Sequence, residues 1–292
     1  MNTSSDTRRG IFFMLLASFL FALTMLFAKL LSASMSSVEV TFWRNAIGLI
    51  AISFTLFHSP IRNVGGRPFT LVFRGVIGTV ALLTFFYTIS ATSLSNAIIY
   101  AKTEPIFTAI LAFFLLKERL KTSALLAILI GFLGVVTLNG MEWNYLHIMG
   151  ILTGFLSALA YTSVRSLKAY YDTRTVVLSF MISGVLIPLI LMILGEFYTS
   201  PSLSFALSPF ILPQGIDWVW IVLIGLSAAG GQIYMTRAYF YAKAGLVSSV
   251  SYSVVLFATI FGILLGDTLP TISIIIGAFM IVISGLMLSR SK

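Results

Sequence analysis

The chain has 292 residues, of which 59% are hydrophobic and only 9% charged, and its mean hydropathy is +1.04. Soluble domains carry about 25% charged residues, so the composition excludes a soluble globular class and points to an all-α, polytopic integral membrane protein. The absence of cysteine excludes a disulfide framework and thiolate chemistry. The two histidines, His58 and His147, stand at predicted loop edges and cannot hold a metal by themselves, so neither a metal nor another cofactor is expected.

Apolar windows of about 20 residues fall at 11–31, 38–57, 69–90, 95–116, 122–138, 147–167, 175–194, 218–241, 246–265 and 270–288. Arg8 and Arg9 precede the first run, which continues to Leu31; it is long enough to span and stay, so no cleavable signal peptide is expected. The intervening loops are short except 195–217, which is rich in Ser, Pro and aromatics and is expected at the membrane interface. Trp143, Trp218 and Trp220 read as interfacial anchors, and the 25 phenylalanines as mostly lipid-facing.

A net charge of +9 would suggest nucleic acid in a soluble domain, but here its placement follows the topology. One alternating set of ends and loops holds Arg8, Arg9, Arg62, Arg67, Lys117, Arg119, Lys121, Arg165, Lys168, Arg174, Lys243, Arg290 and Lys292, and the other set holds no Lys or Arg. Cytoplasmic loops are the ones enriched in Lys and Arg. Both termini are therefore expected in the cytoplasm, with the chain crossing the cytoplasmic (inner) membrane many times and having no nucleic-acid partner.

The remaining basic residues, Lys29, Arg44, Arg74, Lys102 and Arg237, lie inside predicted helices. A charge at the bilayer centre costs roughly 3 kcal/mol on insertion scales, so such a residue needs a partner or a water-filled cavity. The fourth segment is the most demanding, because it carries both Lys102 and Glu104. On a continuous helix Asn96, Tyr100, Thr103 and Glu104 share one arc, while Lys102 points almost the opposite way and cannot satisfy Glu104. Glu104 is therefore expected on a cavity. Lys102 either anchors this helix to a neighbour or meets a substrate carboxylate. Pro105 cannot donate to the carbonyl of Ala101, and the helix is expected to bend there. Arg74 and Arg237, about five residues from cytoplasmic ends, are expected to snorkel, and Lys29 either snorkels or joins a cavity face with Ser18, Ala22 and Met25. Arg44 lies about one turn from Glu39, and a structural ion pair between them, or with a neighbouring helix, is the simplest reading. Lys29, Glu39, Arg44, Lys102 and Glu104 together sum to +1, which suits a substrate with at least one carboxylate.

The chain also repeats itself. TAILAFFLLKERLKT (108–122) aligns with FATIFGILLGDTLPT (257–271) at an offset of 149, and GIFFMLLA (10–17) aligns with GILTGFLS (150–157) at an offset of 140. Two five-helix units, 1–140 and 141–292, follow. Because five is odd, the second enters the membrane in the opposite sense, an arrangement recurrent in secondary transporters. Glu118 in a basic loop and its mate Asp267 in a loop without Lys or Arg agree with this inversion. Carrying the polar arc of the fourth segment across the repeat gives Ser249, Tyr252 and Ser253. The eighth segment offers Gln232, Thr236 and Tyr239 on one face, beside Gly230 and Gly231, and Tyr87 is the mate of Thr236.

EVTFWR (39–44), the run 105–120, GQIYMTRAY (231–239) and Gly266 with Asp267 make the chain resemble the ten-helix EamA branch of the drug/metabolite transporter superfamily, over essentially its whole length. The resemblance implies ten helices, an inverted pseudo-twofold, and a central cavity lined mainly by helices 1, 3, 4, 6, 8 and 9. It also implies efflux or exchange of small metabolites, amino acids and their derivatives among them. Asp267 stands where the family has glutamate and Lys117 where it has glycine. The expected function is alternating-access secondary transport of a small organic metabolite, an amino acid or related carboxylate-bearing compound, by a monomer. Glu104 is a candidate proton-coupling group. Efflux of lipophilic cations or lipid-linked intermediates is the alternative. A membrane-embedded enzyme is disfavoured because the acids are few and dispersed, and no GxxxxGK[ST] phosphate loop is present to support ATP drive.

Overall fold

With no water to bond its peptide groups, a chain crossing lipid must close its backbone hydrogen bonds internally, and helices do so within one segment. The computed structural model describes residues 3–58, 61, 64–104, 106–108, 110–111, 122–139, 144–167, 169–198, 205–242, 247 and 250–290, and among them no strand occurs. Pro105, Trp143, Ser249, the basic run 117–121 and part of the cytoplasmic charge set lie outside the described residues. Ten helices are named here: α1 Thr3–Leu31, α2 Ser37–His58, α3 Pro68–Ala91, α4 Leu94–Ala101, α5 Thr122–Asn139, α6 Tyr145–Leu167, α7 Thr173–Phe197, α8 Asp217–Tyr241, α9 Ser253–Leu264 and α10 Ile272–Arg290.

Among the described residues, five spans are long and apolar enough to cross a membrane: Asp6–Leu31, Pro68–Ala91, Tyr145–Val164, Thr173–Phe197 and Asp217–Tyr241. Leu125–Thr137, Ser253–Leu264 and Ile272–Met287 are shorter apolar helices. Their outward faces carry large exposed apolar side chains, such as Leu186, Ile190 and Ile193 on α7 and Ile272, Ile275 and Phe279 on α10, which is the surface a lipid-facing helix needs.

Helix boundaries follow local chemistry. Pro68 opens α3 where no N–H is missed. Ser93 accepts from the Asn96 N–H to cap α4, and Asp172 accepts from the Arg174 N–H to cap α7. Gly266 has φ +87°, the left-handed conformation that ends α9. The next residue, Asp267, reaches across the molecule, and its Oδ2 accepts from the Leu94 N–H at 2.9 Å. The loop before α8 is held in the same way, because Glu39 Oε1 accepts from the Ile211 N–H at 2.8 Å.

Two predicted windows differ from the structure in one respect: neither is a single continuous helix. In window 95–116, α4 ends at Ala101, Lys102 and Thr103 form a turn, and helix resumes at Glu104. Around the turn the bonds tighten to three-residue spans, Thr103 N–H to Tyr100 O and Ile106 N–H to Thr103 O. Proline at 105 has no N–H for the carbonyl of Ala101, so the ladder is interrupted upstream of the proline. In window 246–265, Tyr252 interrupts in the same manner, its carbonyl accepting from Val255. Thr103 and Tyr252 are repeat mates at the 149-residue offset.

Packing has a regular pattern. Helix α1 lies on α8 and α9, α6 lies on α3 and α4, α2 and α7 touch each other, and α5 pairs with α10. Helix α2 also meets α8, α3 meets α7, and α4 meets α9. Exchanging the names α1–α5 for α6–α10 turns each of these contacts into itself or another of them. The largest buried apolar cluster includes Met25 and Ala28 of α1, Phe86 and Ile89 of α3, Ala97 and Ile98 of α4, Ile221 and Ile224 of α8, and Val254 and Ala258 of α9. Met25, Phe86, Ile98 and Val254 of that cluster line the cavity described next.

Candidate functional site

Where α1, α2, α3, α4, α6, α7, α8 and α9 converge, they line a cavity of about 140 Å³. It is lined from the six helices that the family resemblance implies and also from α2 and α7, through Arg44 and Phe180. Four charged side chains face it: Arg44, Arg74, Lys102 and Glu104.

Arg44 stands on the second turn of α2 and is 2% exposed. Its Nη1 donates to Asn45 Oδ1 at 2.6 Å, Asn45 Nδ2 is held by the Thr41 carbonyl at 2.7 Å, and Nε has no hydrogen-bond partner. Arg44 does not pair with Glu39, whose two carboxylate oxygens are engaged by Ile211 and Ser36. Arg74 is also 2% exposed, so it does not snorkel to the cytoplasmic side. Its Nη2 reaches Gln232 Oε1 at 3.4 Å, and its Nε and Nη1 lack partners. The two guanidinium carbons lie 5.2 and 4.3 Å from the centroid of the same ring, Phe180, within cation–π range. A side chain at Gly78 would collide with Arg74 Nη1 and with Phe180, so the glycine leaves room for that stack.

Lys102 and Glu104 line the same cavity and feel each other's charge. A continuous helix would have set them on opposite faces; the turn at Lys102–Thr103 brings them together. Lys102 Nζ donates to Ser251 Oγ at 2.9 Å and lies 5.7 Å from the Tyr252 ring centroid. Ser251 is the residue 149 positions on, the repeat mate of Lys102 itself. Glu104 Oε1 accepts from Thr108 Oγ1 at 3.1 Å.

The opposite wall carries a polar stripe that the charge-led reading passed over. Thr153, Ser157 and Tyr161 on α6 are spaced four apart, share a face and line the cavity. Tyr161 is within electrostatic reach of Glu104, Arg74 and Arg44. Thr153 Oγ1 contacts Thr84 Oγ1 at 2.9 Å, and on the far side Thr24 and Ser227 share a hydrogen bond of 3.0 Å. The four-residue spacing of the α6 stripe was visible in sequence.

Of the other residues singled out from sequence, Met25 and Gln232 line the cavity, and the rest of those described stand elsewhere. Tyr100 packs on Gly150, with its ring 5.7 Å from His147, and Thr103 packs on Gly154 beside a separate apolar cavity of about 70 Å³. Asn96 lies in the first turn of α4, where its N–H donates to Ser93. Tyr87 joins Tyr145 and Phe205 in an aromatic cluster, at 6.1 and 5.8 Å. Thr236 Oγ1 donates to the Gln232 carbonyl, and Tyr239 packs against the cluster of Met14, Ala17 and Val247. Tyr252 packs over Gly285, and together with Ser253 it borders a lateral apolar groove. Lys29 Nζ donates to the carbonyls of Ile89 and Thr92, at 3.0 and 2.6 Å, and thereby clamps α1 to the end of α3. Arg237 is exposed.

Chemically, two guanidiniums, an ammonium, a phenol and hydroxyls around one carboxylate make a binding site for acid groups, with Glu104 able to hold an amine or exchange a proton. Among the described residues no group of three His, Cys, Asp or Glu side chains is placed to hold a metal.

Comparison with known proteins agrees with this architecture. A profile of the EamA-like transporter family matches residues 8–140. A protein from Helicobacter pylori (strain J99 / ATCC 700824) named as an uncharacterized transporter is 34% identical over 96% of this chain and 94% of its own. The pseudopaline exporter CntI of Pseudomonas aeruginosa (strain UCBPP-PA14) is 28% identical over 98% of this chain and 97% of its own. A protein crystal structure with 19% identity superposes with a TM-score of 0.65, covering 97% of this chain and 96% of its own, which shows a shared fold.

Proposed function

From a chain that belongs to the EamA-like transporter family of the drug/metabolite transporter superfamily, and is thus a multi-pass membrane transporter and not an enzyme, we propose a secondary active transporter that moves a small carboxylate-bearing metabolite, an amino acid or a related compound, by alternating access. The observation that carries this reading is the cavity between the two sets of helices, where Lys102 meets its own repeat mate Ser251 and Arg44, Arg74 and Glu104 face inward.

The main helix contacts named above, unchanged when α1–α5 and α6–α10 exchange names, support two inverted five-helix repeats, 1–140 and 141–292, rocking about a midplane site. The paired interruptions at Thr103 and Tyr252 support it too, because discontinuous helices in matching positions of two halves are where transporters of this plan bind their cargo. The protein works as a monomer in the cytoplasmic membrane, with both termini in the cytoplasm, and exports or exchanges its substrate; the relative named as a pseudopaline exporter is in keeping with export. Lys102 and Arg44 meet substrate acid groups, Gln232 adds a polar contact, and Glu104 couples a proton or holds a substrate amine.

Proteoliposome uptake of a labelled panel of amino acids, organic cations and vitamins tests this. Saturable movement of a carboxylate-bearing compound is expected, with Lys102→Ala weakening it at least tenfold. Movement of cations alone, lost in Glu104→Gln, would reassign the protein to cation efflux. A flux indifferent both to pH and to Glu104→Gln would remove the proton-coupling role.

A further inference from the structure

Resting on the transporter reading above, we infer that the substrate carries two acid groups, and that Arg74, together with Arg44 on the ring of Phe180, forms the subsite for one of them. Arg44 and Arg74 are each 2% exposed, and between them three N–H-bearing nitrogens, Arg44 Nε and Arg74 Nε and Nη1, have no partner. Among the described residues no carboxylate lies within 4.0 Å of either guanidinium, and the one ion pair among them, Arg174 with Asp172 at 3.1 Å, stands at the start of α7 and not on the cavity. The neutral groups that do meet them, Asn45 and Gln232, orient the forks without compensating their charge.

Buried donors of this kind are costly to leave unpaired, and a guanidinium is built for two-point capture of a carboxylate or phosphate. Phe180 holds both cations by its face, which leaves their N–H edges available to a ligand. The charge inventory sets the number of acid groups. Lys29 and Glu39 are engaged away from the cavity, by the α3 carbonyls and by Ile211 with Ser36, whereas Arg74 faces into it. Arg44, Arg74 and Lys102 against Glu104 leave two positive charges uncompensated. A zwitterion with one carboxylate leaves that excess in place, and a ligand with a net charge of −2 cancels it. One acid group of the ligand lies at Arg44 and Arg74, the other at Lys102.

Thermal unfolding of the purified full-length protein in detergent, with acetate, succinate or glycerol 3-phosphate at equal ionic strength, is the test. Succinate, with an acid group at each end, is expected to raise the Tm by several degrees where acetate does not; a rise with glycerol 3-phosphate alone, whose charges sit on a single acid group, overturns the two-group inference. Arg74→Gln should abolish the rise and Arg74→Lys should restore part of it. Without ligand, Arg74→Gln should unfold no earlier than wild type, because it removes an unpaired buried charge; a purely structural arginine would give a lower Tm. Absence of a dianion effect, or a dianion effect that survives Arg74→Gln, overturns the inference. If amino acids with a single carboxylate are carried in proteoliposomes while neither dianion stabilises or competes, the transporter reading stands and this inference falls. If organic cations alone are carried, the carboxylate-carrier reading falls with it.

Discussion

Lys29 shows how a residue's role is set by what its long side chain reaches. In sequence it was a basic residue near the outer end of the first segment, open to snorkelling or to a cavity face. In the structure its Nζ bonds the carbonyls of Ile89 and Thr92, the unsatisfied acceptors at the end of α3, where the helix dipole also favours a cation. Lys29→Met should therefore destabilise the protein by about 2 kcal/mol, the scale of hydrogen bonds to charged groups, read as a lower Tm in detergent. Half-saturating substrate concentration should stay unchanged in the folded fraction; a rise of tenfold would put Lys29 in the site. Arg74 is the converse case. Its position a few residues from a cytoplasmic helix end suggested snorkelling, and no sequence pattern announces that Gly78, one turn on, makes space for it against Phe180 of another helix. Side chains that meet across helices, like Phe180 with both arginines, are decided by packing that periodicity does not encode.

At the scale of elements, much more was legible. Most helix bounds fall within about three residues of the apolar windows, since hydrocarbon thickness fixes segment length. The interruptions were harder, and their consequence was the largest error: a helical wheel drawn through Lys102 and Glu104 assumes 3.6 residues per turn, and the turn between them breaks that assumption. Pro105 marked the neighbourhood but not the residue. The α6 stripe of Thr153, Ser157 and Tyr161 was readable at its four-residue spacing, yet hydroxyls carry a weaker signal than charges. Asp267 belongs here as well, because it caps α4 from the other end of the sequence. Asp267→Ala should cost about 1 kcal/mol, the usual loss for a helix N-cap. The short α4 depends on that cap and on Ser93 together, so hydrogen exchange at the Leu94 amide should accelerate while that of α7, capped by Asp172, does not. Equal acceleration in both helices would mean that the mutation acts globally and not through the cap.

Across the whole molecule, a symmetric scaffold holds an asymmetric site. The main helix contacts map onto one another when the halves are exchanged, yet all four charges on the cavity come from α2, α3 and the α4 segment, while α6, α7 and α8 contribute hydroxyls, a phenol, a ring and an amide. Under the proposed alternating-access mechanism, near-equal scaffolds would allow two conformations of similar energy, and one-sided chemistry would let the ligand bind the same residues in both. This depends on the repeats being inverted, which the cysteine-free sequence makes directly testable. Thr122 at the start of α5 and Thr271 just before α10 are repeat mates 149 apart, and both are exposed. The basic run 117–121 beside Thr122, with no Lys or Arg flanking Thr271, puts the first on the cytoplasmic side and the second on the outer side. In intact cells a membrane-impermeant maleimide should label Thr271→Cys and leave Thr122→Cys unlabelled until the membrane is permeabilised. Labelling of both from the same side would mean parallel repeats, and the rocking of one inverted half against the other would then have no structural basis.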